Sequence, residues 1–274
     1  MFNKTLPKNK FHSNHILNVS LVVAFLSCSL PSFADSAVDK GLAIAKERKL
    51  RDRGWGDSSA EMSMILRNAQ GDEVERKMRL KSLEVMEDGD KGLTIFDQPL
   101  DVKGTVFLNF SHTNEPDDQW MYLPKLSKVK RIRSRNKSGP FMGSEFAFED
   151  MSSFEIEKYK FKYLRDERFD GQDSFVLEQV PVDKDSGYSK QIVWVDKEHY
   201  RALKIEFYDR KGSLLKEMTN HEFKLYLDKY WRPLRVEMFN EQNSKSTELV
   251  THDLQFNVGL DAGDFDEGRL KNIR

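Results

Sequence analysis

The amino-acid sequence predicts a mainly β protein with few helices, built as an incomplete, strongly curved antiparallel β-barrel of about nine to eleven strands with helical cover. Three observations lead to this prediction. Apolar and polar residues alternate along most of the chain, as they do in half-buried strands. Turn-forming Gly, Asp and Asn residues separate these runs at spacings suited to hairpins. No long linker rich in Pro, Gly or Ser interrupts them, so we expect one sheet that must curl. A β-sandwich would produce much the same pattern and is the structural alternative.

Residues 1–34 are predicted to be a cleavable signal peptide for export. The first 15 residues carry lysines but no acidic residue, and residues 16–26 form an apolar stretch that is too short to span a bilayer. Ser32 and Ala34 are small residues at the positions that signal peptidase requires, which places cleavage between Ala34 and Asp35. We therefore expect a signal over residues 1–34 and one domain over residues 35–274.

Cys28 provides an alternative fate for this segment. It is the only cysteine of the chain and ends the sequence Phe25-Leu26-Ser27-Cys28, which resembles a degenerate lipoprotein box. Lipidation of Cys28 would tether the exported protein to a membrane. If cleavage instead follows Ala34, the mature protein contains no cysteine and disulfides play no part in its stability.

The helices are predicted at the two ends of the domain. Residues 36–50 place apolar side chains on one face and basic side chains opposite, which predicts an amphipathic helix that ends at Gly54. Residues 261–274 begin with acidic residues and end with basic ones, the charge order that favours a terminal helical turn.

Strands are predicted between these ends, beginning near Ala60 and continuing to Val258. The apolar positions change phase between Leu80 and Leu83, which predicts a β-bulge. Residues 144–154 are less strand-like and predict a short helix or a lid loop.

The sequence contains no recognisable catalytic motif. A Gly-x-Ser-x-Gly elbow, a phosphate-binding loop, a dinucleotide fingerprint and a His-Glu-x-x-His pair are all missing from it. The histidines after the signal segment show no metal-ligand spacing; they are His112, His199, His221 and His252. The chain carries 44 basic and 45 acidic residues, a balance that argues against a general nucleic-acid binder. We therefore predict no catalytic residue, no cofactor and no metal, and hence a protein that is not an enzyme.

One segment, residues 125–137, concentrates basic residues in this nearly neutral chain. These are Lys125, Lys128, Lys130, Arg131, Arg133, Arg135 and Lys137. They could be the solvated face of a strand and its loop. The alternative is a docking surface for anionic lipid headgroups or for an acidic partner protein.

The sequence is also rich in large flexible and aromatic side chains. In a half-barrel such residues can form either a closed core or a hydrophobic cavity, and Met together with Phe suits an adaptable lipid pocket. The candidate cavity residues are Met62, Met64, Met78, Phe107, Phe110, Trp120, Tyr122, Phe141, Phe146, Phe148, Phe207 and Met238.

Short motifs at residues 119–124, 129–132 and 141–150 resemble those of the outer-membrane lipoprotein-sorting proteins, relatives of the periplasmic lipoprotein carrier LolA. Residues 119–124 read Gln-Trp-Met-Tyr-Leu-Pro, residues 129–132 read Val-Lys-Arg-Ile, and residues 141–150 contain Phe-Met-Gly-Ser-Glu-Phe followed by Phe-Glu-Asp. The resemblance continues through Trp194-Val195-Asp196 and Trp231-Arg232-Pro233, so it extends over nearly all of the chain after the signal segment.

This resemblance implies a LolA/LolB-like incomplete barrel around a hydrophobic cavity, and a periplasmic protein that binds or carries lipid or the acyl chains of a lipoprotein. More weakly, it implies association with an inner-membrane transporter of the resistance-nodulation-division type. The alternative function is a non-catalytic adaptor or structural subunit of such a transporter, with a barrel filled by its own side chains.

Overall fold

The computed structural model describes residues 1–3, 5 and 33–273. Residues 33–273 form one helix, thirteen strands and several short 3-10 helices. The helix is α1 (Phe33–Arg51). The strands are β1 (Asp57–Arg67), β2 (Glu73–Leu83), β3 (Lys91–Gln98), β4 (Val106–Phe110), β5 (Asp118–Leu123), β6 (Lys128–Ile132), β7 (Tyr159–Phe169), β8 (Gln172–Pro181), β9 (Tyr188–Asp196), β10 (Ala202–Asp209), β11 (Leu214–Tyr226), β12 (Tyr230–Asn240) and β13 (Ser246–Phe256). The 3-10 helices are Pro124–Leu126, Ser134–Asn136, Phe141–Gly143, Phe148–Met151, Ile156–Lys158, Ala262–Asp264 and Glu267–Asn272.

The predicted signal segment lies almost wholly outside the described residues, as does Cys28. Ala34 and Asp35 belong to the first turn of α1. Cleavage after Ala34 and lipidation of Cys28 both stay predictions.

All thirteen strands belong to one antiparallel sheet in the order β6-β5-β4-β3-β2-β1-β13-β12-β11-β10-β9-β8-β7. One hydrophobic cluster contains Met121 of β5 and Leu177 of β8, near opposite ends of this order, so the sheet curls round a common interior. It stays open because β6 and β7, its two edges, do not pair. The predicted curved, incomplete antiparallel barrel is therefore confirmed, and the alternative of a two-sheet sandwich is wrong.

The sheet has more strands than the sequence predicted. β4 and β6 contain only five residues each, and four of the five β6 residues are exposed. β6 is charged and β4 is buried on both faces, and neither pattern gives a clear alternation of apolar and polar residues. These strands escape a prediction that rests on periodicity.

The bulge predicted between Leu80 and Leu83 is wrong. Residues 73–83 of β2 pair with β1 without a break. Leu80 packs in the interior cluster and Leu83 packs in a second cluster on the opposite face of the sheet. Because both faces are covered here, apolar residues of either parity are buried, and this imitates a phase change.

The covered outer face of the sheet explains much of the aromatic content. Val106, Leu108 and Trp120 pack there against Phe265 and Leu270, which belong to the C-terminal part of the chain. The predicted terminal helical turn is present as two 3-10 helices. Within residues 33–273, no helix is both long enough and apolar enough to cross a membrane.

A crossing segment, residues 133–158, connects the two open edges of the sheet. It follows β6, contains four of the 3-10 helices and leads into β7. Phe141 and Phe146 from this segment are buried in the interior cluster, and Phe148 packs against that cluster. Residues 144–154, predicted as a short helix or a lid loop, are thus part of a segment that covers the interior.

Helix α1 covers the other side of the interior by packing on β7. The contact is closest at Gly41, where an added Cβ would lie 2.7 Å from the backbone nitrogen of Tyr163. No side chain larger than hydrogen fits at that distance. Ile44, one turn further along, is buried in the interior cluster. This placement brings the C-terminal turn of α1 over the sheet interior.

Candidate functional site

One cavity of the interior, which we call the main cavity, has a volume of about 440 Å³. Another, more open pocket of about 460 Å³ is lined by Phe146, Lys216 and Asn240. The main cavity lies between the crossing segment, the end of α1 and the inner faces of β9, β10 and β11. Ile205, Phe207 and Met218 form its apolar floor. Ile205 and Phe207 share one face of β10 because side chains alternate along a strand, and Met218 is paired with Ile205 across the sheet. The floor follows from the period-two pattern of neighbouring strands.

The walls of this cavity are polar. Gln179 and Gln191 project from β8 and β9, are almost fully buried and hydrogen-bond to each other. Tyr159 and Tyr188 also line the cavity. Burial raises the pKa of both phenols above the ordinary value, so these hydroxyl groups stay protonated. The cavity therefore offers hydrogen-bonding groups above an apolar floor.

Two neighbouring carboxylates of the crossing segment face this cavity. Ser186 Oγ donates a hydrogen bond to Glu149 Oε2 at 2.7 Å, and the backbone N–H of Gly187 donates to Glu149 Oε1 at 2.8 Å. Burial nevertheless raises the pKa of Glu149 above its ordinary value. Burial disfavours the charged form, and the hydrogen bonds offset only part of that effect.

The second carboxylate, Asp150, anchors the crossing segment to the sheet. Its Oδ2 lies 2.7 Å from Lys216 Nζ of β11, and Tyr188 Oη donates to its Oδ1 at 2.8 Å. Lys216 Nζ also donates to the carbonyl oxygen of Glu145 at 2.8 Å. The side chains of Lys216 and Asp150 are only 4% and 7% exposed. A buried ion pair thus ties the middle of the crossing segment to the sheet.

The structure divides the candidate cavity residues into three groups. Most of them pack together in the interior cluster; these are Met62, Met64, Met78, Phe107, Phe141, Phe146, Phe148, Phe207 and Met238. Phe207 alone among the candidates also lines the main cavity. The third group, Phe110, Trp120 and Tyr122, lies in the cluster on the outer face.

The prediction that Phe110, Trp120 and Tyr122 face the interior is wrong, because their side chains project from the outer face of the sheet. Phe107 and Met121 point inward, so their neighbours of opposite parity point outward. Trp120 packs edge-on against Phe110, with ring centroids 5.2 Å apart. The C-terminal 3-10 helices bury this outer face and make it as apolar as the inner one.

Sequence reasoning missed most of the residues that line the cavity. Ile205 could have been found because it shares the parity of Phe207. Gln179 and Gln191 carry a weaker signal, as uncharged polar residues that stand next to apolar residues in β8 and β9. Arg48 on α1 carries no such signal, because it is one of several basic residues on that helix.

A second groove of about 350 Å³ lies beside the main cavity and shares Arg48, Ser153 and Phe154 with it. Its wall is both aromatic and basic. Arg201 stacks between Phe223 and Trp231, with its guanidinium carbon 4.6 and 4.9 Å from their ring centroids. Arg201 also pairs with Asp196 at 2.9 Å. Most of the positive charge of this groove is therefore already compensated.

The basic segment, residues 125–137, forms β6 and the short helices on either side of it, at one open edge of the sheet. Arg131 pairs with Asp118, and Lys137 pairs with Asp183 beside the main cavity. Among residues 33–273, the other basic side chains of the segment have no carboxylate within ion-pair distance; these are Lys125, Lys128, Lys130, Arg133 and Arg135. They are exposed and form a positively charged edge.

No arrangement of His, Cys, Asp and Glu among the described residues has the grouping of three that a metal site needs. The four histidines lie apart. His112 pairs with Asp88 at 2.7 Å, and His199 stacks on Trp231 with ring centroids 4.8 Å apart.

Known proteins share this architecture. A protein-family model described as "-like: Uncharacterized protein" matches residues 88–272. No curated protein matches the chain. The solved structure of an outer membrane lipoprotein-sorting protein domain from Vibrio parahaemolyticus is 67% identical, covers 85% of this chain and 99% of its own, and superposes with a TM-score of 0.84.

Two further structures show the same fold at lower identity. A DUF1329 family protein from Desulfovibrio piger is 28% identical over 85% of this chain and 99% of its own, with a TM-score of 0.80. A LolA superfamily protein from Nitrosomonas europaea is 21% identical over 82% of this chain and 97% of its own, with a TM-score of 0.66. The resemblance inferred from the sequence motifs is confirmed, and the chain belongs to the outer membrane lipoprotein-sorting protein family.

Proposed function

We propose that this protein is a carrier that binds a hydrophobic ligand, a lipid or the acyl chains of a lipoprotein, in its main cavity. The observation that supports this proposal is the cavity itself, with its apolar floor of Ile205, Phe207 and Met218 beneath the crossing segment. Its volume of about 440 Å³ falls within the range of ligand pockets, roughly 300–1,000 Å³. Apolar area removed from water on binding supplies the driving force.

The carrier works in the periplasm in this proposal. The predicted export signal over residues 1–34 supports that location, as does membership of a family named for lipoprotein sorting. No catalytic role is proposed, since the polar groups of the cavity are arranged in hydrogen bonds and ion pairs that hold the crossing segment in place.

Native mass spectrometry tests the carrier function directly. The full chain is expressed with its own N-terminal segment, isolated from the periplasm and sprayed without detergent. We expect adducts with lipid or acylated-peptide masses. Met218→Trp, which fills the cavity floor, should weaken retention at least ~10-fold, or about 1.4 kcal/mol. Leu225→Trp, on an exposed part of β11, is the matched control and should behave as wild type. Wild-type protein that neither carries nor takes up any lipid or acylated peptide contradicts the proposal.

A second candidate function is a non-catalytic adaptor of an envelope transporter of the resistance-nodulation-division type. The exposed basic segment favours it, because unpaired cations at a sheet edge attract an acidic surface on a partner. Photo-crosslinkers placed at Lys128 and Lys130 in cells would capture a membrane protein if the adaptor function holds. The same crosslinkers at Lys224 and Lys229, on β11 and the turn that follows it, are the control. Equal labelling from both pairs of positions argues against an adaptor.

A further inference from the structure

Arg48 is a cation of the main cavity that has no carboxylate within ion-pair distance among the residues that the structure describes. It lies in the last turn of α1 and lines both the main cavity and the second groove. Its guanidinium carbon is 4.3 Å from the ring centroid of Phe154, and its side chain is half-buried. Within residues 33–273, no carboxylate lies within ion-pair distance of it and no hydrogen bond engages its N–H groups.

Unlike Arg48, the neighbouring cations each form an ion pair with a carboxylate. Lys137 pairs with Asp183, Lys158 with Asp117, and Lys216 with Asp150. Next to Arg48 in sequence, Lys49 pairs with Glu155 at 2.9 Å. The carboxylate that acts most strongly on Arg48 belongs to Asp52, which is itself bound by Arg232. Asp117, Asp150 and Asp183 thus have cations of their own, and Glu149 is held by Ser186 and Gly187. Glu115 and Glu157, at exposed positions of the cavity lining, form no ion pair with Arg48.

The guanidinium of Arg48 is half-buried and none of its nitrogens is a fully buried unpaired group, so it is accessible to a ligand in the cavity. Burial lowers the pKa of Arg48, yet an arginine side chain stays protonated in proteins, so its charge must be accommodated as it stands. The ring of Phe154 packs against the guanidinium but accepts none of its N–H groups in a conventional hydrogen bond. Planar, parallel N–H donors suit the two oxygens of a carboxylate or a phosphate.

We infer that the ligand of the main cavity is an anionic amphiphile, and that Arg48 binds its carboxylate or phosphate group. This inference rests on the proposed carrier function. The apolar chain would lie on Ile205, Phe207 and Met218, and the anionic group would lie where the cavity meets the second groove, beside Phe154. A neutral lipid of equal chain length would leave Arg48 without a partner and should bind more weakly.

The test uses three amphiphiles with the same chain: dodecanoate, dodecyl phosphate and dodecanol. Each displaces a neutral fluorescent probe from the full-length protein, at concentrations below micelle formation. We expect at least one of the two anions to bind wild type ~10-fold or more tightly than dodecanol. Arg48→Gln should remove that preference and leave the affinity for dodecanol unchanged, which also shows that the variant is folded. Arg48→Lys, which keeps the charge but not the planar donors, should retain part of it.

Lys46→Gln is the matched control, since Lys46 is an exposed residue of α1 outside both cavities. It removes one positive charge from the same helix and should keep the full preference for anions. If only the phosphate depends on Arg48 the ligand is phospholipid-like, and if only the carboxylate does it is fatty-acid-like; either result supports the inference. Equal binding of anions and dodecanol to wild type overturns the inference alone. Failure of all three amphiphiles to bind overturns the carrier function with it.

Discussion

The interior of this curved sheet has two halves that are built from similar strands and yet differ in packing. In the packed half, beside β1 to β5, Met64, Phe96 and Phe107 are almost fully buried. Phe141 of the crossing segment lies among them, with its ring centroid 5.0 Å from that of Phe107 and 6.0 Å from that of Phe96. In the cavity half, beside β9 to β11, the crossing segment presents Glu149 and Asp150, and its Phe154 borders the cavity without filling it.

This difference in packing indicates that the crossing segment determines where the interior of the half-barrel is filled and where it contains a cavity. The strands of both halves supply apolar inward-facing side chains, as Phe107 and Phe207 illustrate. Phenylalanine rings from the crossing segment fill the space over the packed half. Carboxylates cannot fill the cavity half in the same way, because a charged group must stay near hydrogen-bond donors or water. A core and a cavity therefore coexist in one interior.

The largest expected effect comes from truncating a ring in the packed half. Phe141→Ala should lower the free energy of unfolding by about 4 kcal/mol, since it removes a fully buried aromatic side chain and leaves a cavity. Met218→Ala in the cavity half should cost only about 1 kcal/mol, because its side chain already borders open space. Urea denaturation followed by tryptophan fluorescence measures both. Equal losses would mean that the two halves do not differ in packing.

The second expected effect concerns the buried ion pair that holds the crossing segment over the cavity. Lys216→Met should lower the free energy of unfolding by about 3 kcal/mol, because it leaves the Asp150 carboxylate buried without its cation. Adding Asp150→Leu to the same chain should restore part of the loss. Limited proteolysis should cut residues 133–158 faster in the single variant than in the wild type. A double variant no more stable than Lys216→Met would show that the pair is not the source of the loss.

Sequence periodicity predicted one part of this structure well and another part badly. Alternation located inward-facing strand residues, such as Met62, Met64 and Met238, and with them the curved sheet. It could not separate the two faces of β4 and β5, because Phe110 and Trp120 are also buried, under a segment about 150 residues later in the chain. The position of the cavity could not be predicted from the sequence for a similar reason. Whether Phe207 borders a core or a hollow depends on where residues 133–158 lie, which is a long-range contact and not a local pattern.

A third prediction concerns α1, which packs on β7 and places Arg48 at the main cavity. Gly41→Val should destabilise the protein by about 2 kcal/mol, because the new side chain would collide with the backbone at Tyr163. Hydrogen exchange should rise along α1 and along β7, and stay unchanged in β3 and β4. Ala43→Val, at an exposed position of the same helix, is the control and should cost about 0.5 kcal/mol through helix propensity alone. Exchange that rises equally in all strands would show that the effect is not confined to the contact of α1 with β7.

The smallest expected effect is a pH dependence that arises at Asp90, where the chain that enters β3 meets Ser153 of the crossing segment. Burial raises the pKa of Asp90 to about 6, with Glu155 and Glu84 adding to the shift and Lys49 opposing it. Between its ordinary pKa and about 6, the folded protein binds a proton that the unfolded chain has released. Stability contributed by this group is therefore present at the lower pH and is lost as the pH rises through about 6.

Asp90→Asn removes this titration while keeping the side chain polar and nearly the same size. We expect the variant to be about 1 kcal/mol more stable than wild type at neutral pH, relative to their difference under mildly acidic conditions. Urea denaturation at several pH values measures that difference. Asp101→Asn, a carboxylate of the loop between β3 and β4, serves as the control and should leave the pH dependence of wild type intact. Because the packed half gains its stability from buried rings, Phe141→Ala should lower stability by the same amount at each pH. A pH profile of Asp90→Asn that runs parallel to wild type would remove Asp90 as the source of the pH dependence.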